Sequence, residues 1–223
     1  NEIKSPSIAN LLQEKLGLND KQVMAFDVNA ACTGFVYALE VATSLLQSGK
    51  FKSALVVGSE KMTNIVDFTD RNTCILFGDG AGSMIVEPGD IDSVFYNDSK
   101  GDNTKILEVD KYVKMNGPRV YQFAVDIIPK TINKILRDNN LTLDDIDVII
   151  PHQANKRIVE SIIKEMNLSD DKVILNINRY GNTSAASIPI TIAEYKEENK
   201  DLKTILIVGF GGGFTWGAAI LKI

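Results

Sequence analysis

A single histidine, His152, and two cysteines, Cys32 and Cys74, are all that this 223-residue chain offers in imidazole and thiol. That scarcity excludes multi-histidine metal centres, and with the two sulfurs far apart in sequence it argues against zinc as well. It also points to reduced thiols and a cytoplasmic address, a Cys32 to Cys74 disulfide being the less favoured reading. Long apolar runs are missing, as are a charged n-region and a leading hydrophobic stretch, so neither a membrane span nor a signal peptide is expected. Basic residues are outnumbered: 24 Lys and Arg face 29 Asp and Glu, for a net charge of -5 with no long basic run. Nucleic acid is therefore not expected as the main partner. What the chain does have is 44% hydrophobic residues, enough for a substantial core in one large domain or two modest ones.

The most informative stretch surrounds Cys32. Residues 23–28 read as a short buried strand, while Phe35, Leu39, Ala42 and Leu46 recur with the period of an amphipathic helix. Cys32 thus falls where a strand turns into a helix. Unpaired N–H groups and the positive end of the helix dipole favour an anion there, so the thiol is expected to ionise readily and act as a nucleophile. A small buried apolar residue would suit the same turn, and this stretch alone leaves both readings open.

Elsewhere strands and helices alternate. A short helix is predicted over residues 7–16, and fully buried strands, of the kind covered on both faces, over 53–58 and 204–208. Further strands are predicted over 105–109, 146–150, 173–177 and 216–221. Helices are expected on Tyr121, Val125, Ile128, Ile132 and Ile135, with a kink at Pro129, and on Ile158, Ile162 and Met166. A shift of 150 lays Leu18, Asp20, Val23 and Thr33 on Leu168, Asp170, Val173 and Thr183, and Cys32 on Asn182. Two related α/β halves follow, 1–96 with the nucleophile and 97–223 with the histidine, their equivalent turns presenting Cys32 and Asn182 to one site. A strand, a helix and a strand precede the second copy and have no counterpart before Pro6, and residue 1 is Asn. The expectation is a fragment lacking the opening elements of its first half.

Cys32, His152 and Asn182 supply, in that order, a nucleophile, a proton donor or acceptor, and an amide able to hydrogen-bond an oxyanion. A papain-like protease would use the same order but places tryptophan directly after its cysteine, where this chain has Thr33-Gly34. The flanks Asp27-Val-Asn-Ala-Ala-Cys32-Thr-Gly-Phe, Pro151-His-Gln-Ala-Asn155, Gly181-Asn-Thr-Ser-Ala-Ala-Ser187 and Phe210-Gly-Gly-Gly-Phe-Thr-Trp-Gly217 instead resemble the β-ketoacyl-acyl-carrier-protein synthase III family, from about Pro6 to Ile223. One histidine separates the chain from elongating synthases, which use two. Gly211-Gly-Gly213, where thiolases carry a second cysteine, separates it from those enzymes; Cys74 reads as a core thiol.

The resemblance implies a thiolase-like α/β fold, two related halves in a five-layered α/β/α/β/α arrangement, with the first half incomplete here. It implies that Cys32 takes an acyl group, usually acetyl, from acyl-coenzyme A. His152 and Asn182 would then stabilise the enolate formed as malonyl-acyl carrier protein loses carbon dioxide, and the backbone N–H groups of Cys32 and Gly212 would form the oxyanion hole. Ala154 and Asn155 correspond to pantetheine contacts, Arg71 to an adenine contact, and Phe210 packs beside the histidine. Lys156 and Arg157 would receive the acidic carrier protein, though they also fit an ordinary solvated helix face. Ser5 stands where family members often place a phenylalanine that closes the primer pocket of the other subunit of a homodimer, so a roomier pocket is expected. No cofactor or metal is implied. The alternative function is a catalytically impaired fragment that only binds acyl-coenzyme A.

Overall fold

In the computed structural model, which describes residues 5–88, 93–198 and 201–223, Ser7 caps the first helix, α1 (Ile8–Lys15), by accepting the Asn10 N–H. The Asp27 carboxylate takes the Ile8 and Ala9 N–H groups, both at 2.9 Å. Unpaired donors at the start of α1 are thereby satisfied by an anion 18 and 19 residues downstream of them. Residues 23–28 do not form the expected strand. They run without regular structure, and Val23, Met24 and Phe26 are exposed, because no neighbouring strand among the described residues supplies a ladder for their backbone.

A 3-10 turn, Ala31–Thr33, leads into α2 (Gly34–Gln47), which buries Phe35, Val36, Leu39 and Leu46 as its period requires. Next, β1 (Ala54–Glu60) pairs antiparallel with β2 (Gly80–Val86). Contrary to the sequence reading, β1 is covered on one face only: Val56 is buried, while Leu55 and Val57 are exposed into a cleft of about 1890 Å³. The glycines of β2 explain how it packs. A Cβ on Gly80 would lie 2.8 Å from the Ile190 side chain, and one on Gly82 2.8 Å from the Ile190 nitrogen.

The second sheet has the order β3-β8-β7-β6. It is built from β3 (Val94–Ser99), β6 (Val148–Pro151), β7 (Thr204–Gly211) and β8 (Thr215–Lys222), with β6 parallel to β7 and the other pairs antiparallel. This sheet begins at Val94, so β3 straddles the 96/97 division drawn from the sequence. The strand expected at 105–109 is only the first arm of a small hairpin, β4 (Leu107–Val109) with β5 (Val113–Met115). The segment 173–177 is not a strand either. Val173 makes one bridge to Ile149, and the chain then turns into the four-residue α5 (Ile177–Tyr180), because Gln153 Oε1 captures the Asn176 and Ile177 N–H groups that a ladder would need.

Between the sheets lie α2 and α6 (Ser187–Glu198), and the outer face of the second sheet carries α3 (Gly117–Asp138) and α4 (Lys156–Glu165). Leu206, Val208, Ala218 and Ile220 face the outer helices, while Ile205, Ile207, Ala219 and Leu221 face α2 and α6. The alternation follows from the two-residue period of a strand, and both faces being apolar makes β7 and β8 the centre of the molecule. Four layers of an α/β/α/β/α stack are thus present. The outer layer over β1 and β2 is open among the described residues.

The internal repeat is real but its register differs from the sequence alignment. Ala31 (φ 48°) and Ser184 (φ 50°) each open a 3-10 turn in the left-handed region, each followed by a helix. Each turn is held by an asparagine two residues back: Asn29 Oδ1 accepts the Ala31 N–H at 3.3 Å and Asn182 Oδ1 accepts the Ser184 N–H at 2.8 Å. Structural equivalence therefore places Ser184 on Ala31, and Cys32 on Ala185 rather than on Asn182. Apolar periodicity tolerates a slip of a few residues, whereas the hydrogen-bonded turn does not.

Candidate active site

The turn that carries Cys32 is clamped to the β7–β8 hairpin. Thr215 Oγ1 donates to the Ala30 carbonyl at 3.1 Å and lies 2.9 Å from Thr33 Oγ1. Glycine is needed where β7 passes underneath, since a Cβ on Gly211 would stand 2.8 Å from the Cys32 nitrogen. Gly212 follows in the hairpin turn, beside the Leu107 carbonyl, and lines the cleft with Cys32. The run Gly211-Gly-Gly213 is thus a hairpin turn and a close-approach surface at once. Cys32 sits two residues before α2, as the sequence suggested, and is half-buried at the wall of the cleft; desolvation pushes its thiol up to about 11, the opposite direction to the expected lowering at a helix start.

His152 follows directly on β6, its N–H donating to the Val208 carbonyl at 2.7 Å and its ring packed edge-on to Phe210 at 5.8 Å. The ring is buried, which lowers its pKa to about 4 and keeps it neutral near pH 7. Ser187 Oγ lies 2.7 Å from Nδ1 and accepts the Gln153 N–H at 3.3 Å, so Nδ1 is engaged by a hydroxyl. Where Nδ1 accepts from that hydroxyl, the neutral ring carries its hydrogen on Nε2. Asn182 is fixed in the same sense: its Oδ1 is taken by the Ser184 N–H, while Nδ2 donates to the Ala154 carbonyl at 3.4 Å with a second hydrogen to spare. Gly209 stands between nucleophile and histidine, since a Cβ built on it would lie 3.7 Å from both the Cys32 carbonyl oxygen and His152 Cβ. Cys32 and His152 thus meet at Gly209, and the Asn182 amide is tied to the Ala154 carbonyl, two residues after His152.

The profile described as 3-oxoacyl-[acyl-carrier-protein (ACP)] synthase III matches residues 26–101, and that described as its C-terminal part matches 136–223. The β-ketoacyl-[acyl-carrier-protein] synthase III of Acholeplasma laidlawii is 58% identical over 99% of this chain and 72% of its own length. The chain belongs to this synthase III family. The Staphylococcus aureus relative is 46% identical over 97% of this chain and 71% of its own length. The crystal structure of the synthase III from Aquifex aeolicus superposes with a TM-score of 0.94 at 40% identity, covering 99% of this chain and 73% of that one. That from Thermus thermophilus gives 0.93 at 33%, covering 100% and 74%. Membership makes the protein an acyltransferase of the condensing type with the thiolase-like fold, in fatty-acid biosynthesis.

The remaining synthase III positions are distributed as follows. Ala154 is buried and Asn155 caps α4, its Oδ1 accepting the Arg157 N–H at 2.9 Å. Lys156 and Arg157 are exposed on the first turn of α4, Lys156 reaching Glu160 at 3.6 Å. Arg71 is exposed in the turns preceding Phe77, and half-buried Cys74 lies in those same turns. Ser5 is exposed ahead of α1. Sequence reasoning missed Ser187, which meets the imidazole, and Ser184, whose N–H holds the Asn182 amide. The small-residue motif did contain both serines, but only the fold shows which of them meets the imidazole.

Burial of His152 has a consequence for stability. Its folded pKa of about 4 lies below the ordinary 6.5, so the unfolded chain binds a proton that the folded one refuses. Its contribution is complete above pH 6.5 and is lost as pH falls towards 4, by on the order of 3 kcal/mol. Urea unfolding at pH 7.5 and 4.5 is expected to show a smaller acid loss in His152→Gln than in the parent. Equal losses in both would contradict this.

Proposed function

We propose that Cys32, His152 and Asn182 carry out a two-step condensation. In the first step the Cys32 sulfur attacks the carbonyl of acyl-coenzyme A, usually acetyl, the tetrahedral oxyanion facing the N–H groups of Cys32 and Gly212, and coenzyme A leaves as its thiol. In the second, malonyl-acyl carrier protein binds with its thioester oxygen between His152 Nε2 and Asn182 Nδ2. Carbon dioxide departs, the C–C bonding pair becomes an enolate, and its carbon attacks the acyl-Cys32 carbonyl. β-Ketoacyl-carrier protein is released and Cys32 regains its sulfur as thiolate. The observation that carries this reading is the pair of engaged partners: Ser187 takes up Nδ1 of the imidazole and the Ser184 N–H takes up Oδ1 of the amide, and in this reading Nε2 carries the ring hydrogen and donates together with Nδ2. Neutral donors suit an enolate oxygen whose charge appears only as carbon dioxide leaves.

Around that centre the reading assigns Ala154 and Asn155 to the pantetheine arm, Arg71 to the adenine end of coenzyme A, and Phe210 to seating the imidazole. It takes 1–96 and 97–223 as the two halves and has the enzyme work as a cytoplasmic homodimer without metal or cofactor, with Ser5 bordering the neighbour's primer pocket. The Lys156–Arg157 pair, on an otherwise net acidic chain, would steer the acidic carrier protein. Supplied with acetyl-coenzyme A and malonyl-carrier protein, the enzyme is expected to yield acetoacetyl-carrier protein by mass. Arg157→Glu should raise KM for malonyl-carrier protein about tenfold while acetyl loading stays within twofold. Equal damage to both substrates would remove Arg157 from the docking role.

A further inference from the structure

We infer that Gln153 is a positioning residue: its side-chain amide fixes the spacing of the His152 and Asn182 donors, and through that spacing the rate of malonyl decarboxylation. The inference rests on the proposed reading of those two donors. Gln153 directly follows His152 and is 1% exposed, with all of its hydrogen-bonding capacity used inside the protein. Nε2 donates to the Pro151 carbonyl at 2.8 Å and to the Ile174 carbonyl at 3.2 Å, while Oε1 accepts the Asn176 and Ile177 N–H groups at 3.0 and 3.2 Å. All four partners are backbone groups of fixed donor or acceptor sense, so the amide has one orientation. No donor is left for a substrate, which makes Gln153 a positioning residue rather than a catalytic one.

These bonds join the end of β6, where His152 follows, to the start of α5, whose exit carries Asn182. With four residues, α5 is too short to hold itself, since a first turn fixes several residues for one bond, here Gly181 N–H to the Ile177 carbonyl at 2.8 Å. An asparagine at the head of a helix ordinarily caps it with its own side chain. Asn176 does not: its Oδ1 accepts from the Thr191 hydroxyl at 3.0 Å and its Nδ2 donates to Glu194 at 2.8 Å, both on α6. Capping passes instead to Gln153, 23 and 24 residues away in sequence. The start of α5 is thereby referenced to the segment that carries the imidazole.

Gly181 (φ 68°) turns the chain out of α5, and Asn182 arrives with its N–H on the Leu76 carbonyl at 2.8 Å and its own carbonyl on the Gly78 N–H at 3.0 Å. Those two bonds fix the Asn182 backbone to the segment before β2, and neither reaches His152. The ties between the two donors are Gln153 and the 3.4 Å bond from Asn182 Nδ2 to the Ala154 carbonyl, which is long for its kind. Helix α6 braces the same frame, with Ser187 on the imidazole and Thr191 on Asn176. Loss of Gln153 therefore loosens the spacing without dismantling the site.

Gln153→Met keeps the length of the side chain and removes its hydrogen bonds. Its kcat for malonyl decarboxylation is expected to fall about tenfold, with KM for malonyl-carrier protein and single-turnover acetyl transfer to Cys32 both within about twofold of the parent. If Gln153→Met does not accumulate as folded protein, Gln153→Asn, which keeps the amide but is one methylene too short for the span, is expected to show the same split. A double-mutant cycle separates positioning from general support of the fold. In an Asn182→Ala background, Gln153→Met should cost less than about twofold further, because the spacing no longer serves a second donor. The full tenfold loss in that background, decarboxylation at the parent rate in the single variant, or loading and decarboxylation falling together would each overturn the inference. Decarboxylation unchanged in Asn182→Ala itself would instead refute the donor assignment on which it rests.

Discussion

Replacing Cys32 with alanine is expected to remove acyl loading and condensation altogether, while malonyl decarboxylation continues. The nucleophile has no substitute on its turn: the neighbouring side chains are Ala30, Ala31 and Thr33, and the Thr33 hydroxyl is committed to Thr215. Cys74 lies in the turns before Phe77 and, unlike Cys32, does not line the cleft. The clamp that shapes the loop runs through the Ala30 carbonyl and Thr215, so loss of one half-buried sulfur leaves the fold intact. Decarboxylation needs only the donors facing the malonyl thioester and survives for that reason. Product mass and carbon dioxide release on the same sample check both halves; condensation above about one per cent of the parent rate would place the nucleophile elsewhere.

His152→Ala and Asn182→Ala should each lower malonyl decarboxylation about a hundredfold or more, with acetyl loading affected far less. Both donors are pre-aimed. Ser187 holds the imidazole through Nδ1 and the Ser184 N–H sets the amide, so neither group reorganises when charge develops on the thioester oxygen. Donors realised only as that charge appears accelerate the step itself rather than ground-state binding. In the proposed mechanism acetyl transfer uses a different oxyanion position, beside the Cys32 and Gly212 N–H groups. The two half-reactions should therefore separate in stopped assays. Loading that collapses while decarboxylation survives would reverse the roles given to the two sites.

Much of this was legible in the sequence because it depends on short, local signals. Helical spacing located α2, α3 and α4, the runs of β-branched residues located β6 and β7, and the flanks of Cys32, His152 and Asn182 carried the family resemblance. What was not legible depends on partners distant in the chain. Residues 23–28 have the apolar content of a strand but no ladder to join, and residues 53–58 look doubly covered although one face opens on the cleft. Likewise 173–177 carries strand-like residues that Gln153 diverts into a turn. The repeat was visible, yet its register was fixed by Asn29 and Asn182 closing equivalent turns, a hydrogen-bond feature that apolar patterning does not encode. The thiol of Cys32 shows the same lesson in energetic form: position at a helix start was readable, whereas the burial that opposes ionisation was not.

The central claim is that Cys32 is the acyl acceptor of a condensing enzyme, and the most direct test is to incubate the protein with acetyl-coenzyme A alone and locate the adduct by peptide mass. One acetyl group is expected, on the peptide containing Cys32, discharged as acetoacetyl-carrier protein when malonyl-carrier protein is added. An acetyl group on Cys74, or no adduct on either cysteine, would contradict the account.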